Sequence, residues 1–151
     1  MEIVEHGVEP RIVSCISCGK RNRVPATATG TPSCGACRAA LPWIADADDR
    51  TFDAIADRSP LPVLVDLWAP WCIPCRLVGP ALEQVARDLA GRVKLVKVNV
   101  DTAPGLHRRF AVQAVPTLLL MRDGKVIARQ AGAAPSAVLR RWAEQGLATA
   151  A

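Results

Sequence analysis

Apolar and polar positions fall into blocks along residues 51–145, and the blocks change period in a regular order. Residues 51–57 carry apolar side chains at helical spacing, after acidic residues suited to a helix N-terminus. The run Leu61-Pro62-Val63-Leu64-Val65-Asp66-Leu67 is almost wholly apolar and predicts a buried strand over 62–68. A helix is expected over 76–89, with Leu77, Val78, Leu82, Val85, Ala86 and Leu89 on one face and Gly91 as its stop. Pro80 falls inside that helix and should bend it. Residues 93–99 return to a strand, 102–110 form a short helix, and 117–121 form another strand. Asp123-Gly124 is a two-residue hairpin signal, so 125–131 should pair antiparallel with the strand before it. A last amphipathic helix is expected over 135–145, with Val138, Leu139 and Trp142 inward. This order predicts an α/β fold, a central mixed sheet flanked by helices.

The first forty or so residues differ in character. They show little apolar periodicity and cannot bury enough surface to fold unaided. They do contain Cys15-Ile16-Ser17-Cys18, then fifteen residues, then Cys34-Gly35-Ala36-Cys37. That spacing is the one expected of a four-thiolate zinc site. Each Cys-x-x-Cys makes a tight turn with two sulfurs on one side, and Gly19 and Gly35 supply permissive backbone. One structural zinc held by Cys15, Cys18, Cys34 and Cys37 is therefore expected; four sulfurs leave no place for His6. Residues 1–41 are read as a small zinc-ribbon-like module and 42–151 as the domain that holds the sheet.

Charge narrows the partners. The net charge of +5 is spread through the chain, with Lys20, Arg21 and Arg23 as its densest group, which reads as solvated surface rather than a nucleic-acid site. The N-terminus has no apolar core of secretory length, and no segment approaches the roughly 18 apolar residues of a membrane span. A cytoplasmic protein without a membrane partner is expected, with a monomer as the default. Stable structural disulfides are rare in that compartment, so six cysteines point to metal binding and redox chemistry.

The redox candidates are in Trp68-Ala69-Pro70-Trp71-Cys72-Ile73-Pro74-Cys75, directly after the strand. A Cys-x-x-Cys at a strand-to-helix junction sets the first sulfur against unpaired N–H groups and positive potential. That environment favours the thiolate, the nucleophile of disulfide exchange. The second cysteine is near enough to close a disulfide or to resolve a mixed one. Pro74 suits the first helical turn. Alternation puts Val63, Val65 and Leu67 on one face of the strand and Leu64, Asp66 and Trp68 on the other, both covered. A buried Asp66 should have a raised pKa and is a candidate base for Cys75. Lys97, on the neighbouring strand, could be its charge partner. These residues point to electron transfer between dithiols and disulfides.

From about Trp43 onward the chain resembles a thioredoxin. The matching motifs are Val65-Asp66-Leu67-Trp68-Ala69-Pro70-Trp71-Cys72, Pro74-Cys75, Lys97-Val98-Asn99-Val100-Asp101, Val115-Pro116-Thr117, Gly124 and Gly132. With the four-cysteine segment added, the whole is similar to the zinc-containing bacterial thioredoxin 2 type. The resemblance implies Cys72 as exposed nucleophile, Cys75 as buried resolving thiol, Asp66 as proton acceptor and a cis peptide before Pro116. It further implies that the Val115 backbone pairs with the substrate chain and that Trp71 and Gly132 border its groove. Protein disulfides would be the substrates and a flavin-dependent thioredoxin reductase the electron donor, with no redox cofactor in this chain. One departure stands out: the family's usual Gly-Pro between the cysteines is Ile73-Pro74 here. The stiff, apolar Ile73 lies in the contact surface and could tune specificity or potential. An oxidant or isomerase therefore stays open beside the reductase, as does a zinc arm that binds partners on a passive thioredoxin fold.

Overall fold

The computed structural model describes residues 10–149; His6 and the acidic N-terminal stretch lie outside the described residues. The main sheet has five strands: β3 (Trp43–Asp46), β4 (Val63–Trp68), β5 (Lys94–Asn99), β6 (Thr117–Arg122) and β7 (Lys125–Ala131). Their spatial order is β3-β5-β4-β6-β7. β3, β5 and β4 run parallel, while β6 and β7 are antiparallel to their neighbours, giving a mixed sheet. The parallel strands need crossover connections, and helix α1 (Ile73–Asp88) joins β4 to β5. Helix α2 (Pro104–Arg109) lies between β5 and β6, and α3 (Ser136–Thr149) closes the chain. The β6–β7 turn is Asp123-Gly124, with φ of 52° and 75°, the left-handed pair that a two-residue hairpin requires.

Both faces of β4 are covered. Val63, Val65 and Leu67 pack with Phe52, Ile55, Leu106 and Phe110, and Trp68 at the strand end leans partly against this cluster. Leu64 packs on the opposite face with Val78, Leu82 and Val85 of α1 and Leu139 of α3. A fully buried side chain of this size contributes roughly 1.5–3 kcal/mol, so α1 is fixed to the sheet chiefly through that stripe.

Several expectations need correction. α1 begins at Ile73 rather than residue 76, and α3 runs on to Thr149. Leu77 and Val138, expected inward, are exposed; each is one residue, or about 100° of helix, away from its buried stripe. The expected helix over 51–57 is a five-residue π-helical turn, Asp53–Asp57. Strand β3 lies outside the elements that the sequence pattern predicts.

The four-cysteine segment is also more regular than its composition suggests. β1 (Arg11–Ser14) and β2 (Arg21–Val24) form an antiparallel hairpin, followed by a bridge between Ser33 and Ala40. Cys15, Val24, Cys34, Leu41 and Trp43 make a small core of their own. This hairpin unit is docked against the sheet rather than swinging free. Trp43 donates its indole N–H to the Pro25 carbonyl (2.9 Å), and Arg11 pairs with Asp46 (2.9 Å). Lys94 Nζ donates to the carbonyls of Ala26 (2.5 Å) and Ile55 (2.7 Å). Trp43, Lys94 and Val63 stand side by side at the N-terminal ends of the parallel strands. Cys72 follows the C-terminal end of β4, so these anchors lie away from it.

Candidate active site and four-cysteine centre

Cys72 is the N-cap of α1, in extended backbone, and Cys75 lies in the first turn. The two are joined by a disulfide, with Cα atoms 5.3 Å apart. The Cys75 backbone N–H donates to Cys72 Sγ (3.1 Å), so this sulfur takes the place that a Ser or Asp oxygen usually has at a helix start. The first turn of α1 has no acidic residue to compete for that positive end. Both cysteines are nearly covered in this oxidised state, 3% exposed at Cys72 and 5% at Cys75. The expected contrast of an exposed first sulfur with a buried second one is therefore absent. The exposed neighbours are Trp71 and Ile73, each 68% open, and Pro74.

The loop before β6 comes up against this pair. Cys72 Sγ lies 3.5 Å from the Val115 carbonyl oxygen, and the Val115–Pro116 peptide is cis. Gly132 donates its N–H to the Pro116 carbonyl (2.9 Å) at φ 87°, and the space beside its Cα is open. Trp71 is held by Asp101, whose carboxylate accepts the indole N–H at 3.1 and 3.3 Å. Asp101 was visible in sequence only as part of a motif, without a role.

Asp66 is 1% exposed, and its Oδ1 has no hydrogen-bond partner. Burial pushes its pKa up to about 6; Lys97 pulls it down and Glu83 pushes it further up. Lys97 stands opposite Asp66 in register across β4 and β5, but its ammonium bonds to Glu83 Oε2 (3.0 Å). The charge partner of Lys97 is thus Glu83, a residue that sequence reasoning missed. Asp66, Cys75, Lys97 and Glu83 all line one open cleft of about 460 Å³ between α1 and the sheet. This gives Asp66 a route to solvent.

In the hairpin unit the sulfurs of Cys15, Cys18, Cys34 and Cys37 all lie within 4.8 Å of one another. Cys15–Cys37 and Cys18–Cys34 are 3.5 and 3.6 Å apart. Sulfurs placed tetrahedrally at about 2.3 Å from a zinc would be about 3.8 Å apart, so the cluster fits such an ion. Backbone N–H groups aim at the buried sulfurs, from Ser17 to Cys15 and from Ala36 to Cys34, each 3.4 Å. N–H bonds within each turn, from Cys18 and Ser17, lower the Cys15 pKa. Those from Cys37 and Ala36 take Cys34 down to about 6. Asn22 adds a side-chain donor to Cys34 (3.6 Å) and accepts the Gly35 N–H (3.0 Å). Four converging thiols, two of them facing thiolate-stabilising donors, could hold a metal ion.

The family model described as Thioredoxin matches residues 43–145. The chain belongs to the thioredoxin family. It is 42% identical over 98 residues to Thioredoxin of Haemophilus influenzae, covering 65% of this chain and 92% of that one. It is 37% identical over 139 residues to Thioredoxin C-3 of Corynebacterium nephridii, covering 90% of this chain and 95% of the other. The second match is longer than residues 43–151, so it takes in part of the four-cysteine segment. With its Cys72–Cys75 pair, this thioredoxin-family member is a thiol-disulfide oxidoreductase that reduces protein disulfides. Among the described residues no helix is long and apolar enough to cross a membrane.

Proposed function

We propose that Cys72 is the attacking thiolate, Cys75 the resolving thiol and Asp66 the proton acceptor of this reductase. The observation that carries the reading is Cys72 Sγ at the N-cap of α1, accepting the Cys75 N–H beside the Val115 carbonyl. A thiolate there gains from both the N–H and the helix end. It attacks one sulfur of a target disulfide. A Cys72–target S–S bond forms, the target bond breaks, and the second target sulfur leaves with the electron pair and is protonated. Cys75 then gives its proton to Asp66 and attacks Cys72 Sγ. The internal disulfide forms and the remaining target sulfur leaves as a thiolate that takes up a proton. The target gains two electrons and two protons, and the pair ends oxidised. Two electrons from a thioredoxin reductase restore the dithiol.

Trp71, Ile73 and Pro74 form one border of the target groove, and Gly132 the other. The Val115 backbone pairs with the target chain, and Pro116 packs beside the sulfurs. Lys97 acts on Asp66 through its positive charge. In residues 1–41, Cys15, Cys18, Cys34 and Cys37 hold one zinc; a closed four-sulfur site supplies structure rather than an open coordination position. Residues 42–151 form the thioredoxin domain. The protein works as a cytoplasmic monomer on disulfide-containing proteins, not on nucleic acid or membranes.

The reduction potential of the Cys72–Cys75 pair, measured with the four-cysteine centre intact, tests this reading. A value near −270 mV, about that of thioredoxin, is expected. A value near −180 mV, about that of an isomerase, would replace reduction with disulfide formation or reshuffling, the change that Ile73 leaves open.

A further inference from the structure

Glu83 is two turns of α1 beyond Cys75, with Gly79 between, and all three residues line the cleft that reaches Asp66. A methyl group at Gly79 would stand 3.8 Å from Lys97 Nζ, so the ammonium lies over the bare backbone of this stripe on its way to Glu83. Lys97 has two carboxylates to choose from. It is aligned with Asp66 in strand register, yet it bonds to Glu83 at 3.0 Å and leaves Asp66 Oδ1 unpartnered. Glu83 and Lys97 are both partly covered, so the pair is less screened than a fully exposed one.

We infer that Glu83 is a positioning residue for disulfide exchange, which holds the Lys97 ammonium away from Asp66 and so keeps Asp66 able to accept the Cys75 proton. The inference rests on the role proposed above for Asp66. Without Glu83, two changes act in the same direction. Lys97 is released to pair with Asp66, and a negative charge that opposes Asp66 ionisation disappears. Both favour the Asp66 carboxylate and weaken it as a base. Burial alone would still raise the Asp66 pKa, but the charges around it would then be all positive rather than balanced.

The test is the Asp66 titration, followed by the side-chain carboxyl ¹³C resonance in the reduced full-length protein, for the parent, Glu83→Gln and Glu83→Asp. Asp66→Asn assigns the signal. Glu83→Gln should lower the midpoint by about one pH unit, the low end of what one neighbouring charge produces. The acid limb of the pH profile for reduction of a protein disulfide should move down with it. Glu83→Asp keeps the charge and should restore most of both. A midpoint unmoved or raised in Glu83→Gln overturns the inference, whatever the variant's stability. Should Asp66→Asn leave the pH profile unchanged, the proposed role of Asp66 fails instead, and the Glu83 inference with it. A profile altered by Asp66→Asn and indifferent to Glu83→Gln removes Glu83 alone.

Discussion

The Lys94 ammonium stands 3.9 Å from the centre of the Trp43 ring, buried where the four-cysteine unit meets the sheet. Two backbone carbonyls, one from each side of that contact, accept its N–H bonds. The aromatic face and the carbonyls compensate part of the cost of burying a charge.

Burial still pushes the Lys94 pKa down to about 7, against about 10.4 in an unfolded chain. Between those values the unfolded state binds more protons than the native one, so stability should rise with pH from 7 to 10. Lys94→Met removes this dependence. Relative to it, the parent should gain on the order of 3 kcal/mol across that range, read from denaturant midpoints. Parallel stability curves would show that Lys94 keeps its ordinary affinity for protons.

Asp66 gives the opposite slope at lower pH. Its folded pKa of about 6 exceeds the unfolded value of about 3.9, so the native state holds the extra proton between these values. Stability falls as pH rises through this window and stays lower above it. Asp66→Asn cannot ionise, and it should be more stable than the parent at pH 7 by about 2 kcal/mol, with the gap closing toward pH 4. The same variant should exchange disulfides more slowly at neutral pH if Asp66 accepts the Cys75 proton as proposed. Equal stability at pH 7 and pH 4 would contradict the buried-carboxylate account.

Removing one thiol should open the proposed zinc site. Cys34→Ser is expected to reduce bound zinc from one equivalent to none and to make the segment before Trp43 sensitive to protease, since Cys34 belongs to the small core there. The Cys72–Cys75 pair should still cycle between dithiol and disulfide. Full zinc content in Cys34→Ser would refute the four-sulfur assignment.

Helix α2 depends on a cap from far along the chain. Asp49 accepts the N–H groups of Gly105 and Leu106, both at 2.8 Å, and a Cβ at Gly105 would meet its carboxylate at 3.0 Å. Gly105→Ala should therefore cost about 1 kcal/mol, similar to Asp49→Ala, and the double variant should be less destabilised than the sum. Additive losses in thermal or denaturant unfolding would show that the two positions act independently.

What the sequence revealed depended on how local the determinant was. β4 was legible because an apolar run before Trp68-Ala69-Pro70-Trp71-Cys72 has few alternatives, and the β6–β7 hairpin because Asp123-Gly124 suits a left-handed turn. The four-sulfur cluster followed from spacing alone. β3 was not legible: it has four residues without alternation, and it is a strand because it pairs with β5 while Trp43 is covered by the four-cysteine unit. Leu77 and Val138 are apolar but lie just outside the buried arc of each helix, so apolar character alone does not tell them from their buried neighbours Val78 and Leu139. Lys97 and Glu83 are fourteen residues apart on different elements, so only the packing of α1 on β5 could show that they pair.

The proposed exit of electrons through Cys72 is tested most directly by trapping. Cys75→Ser, reduced and mixed with a disulfide-containing protein, should accumulate a covalent mixed disulfide that peptide mapping places on Cys72, while Cys72→Ser traps nothing and turns over no substrate. Attachment through Cys15, Cys18, Cys34 or Cys37, or continued turnover by Cys72→Ser, would contradict it.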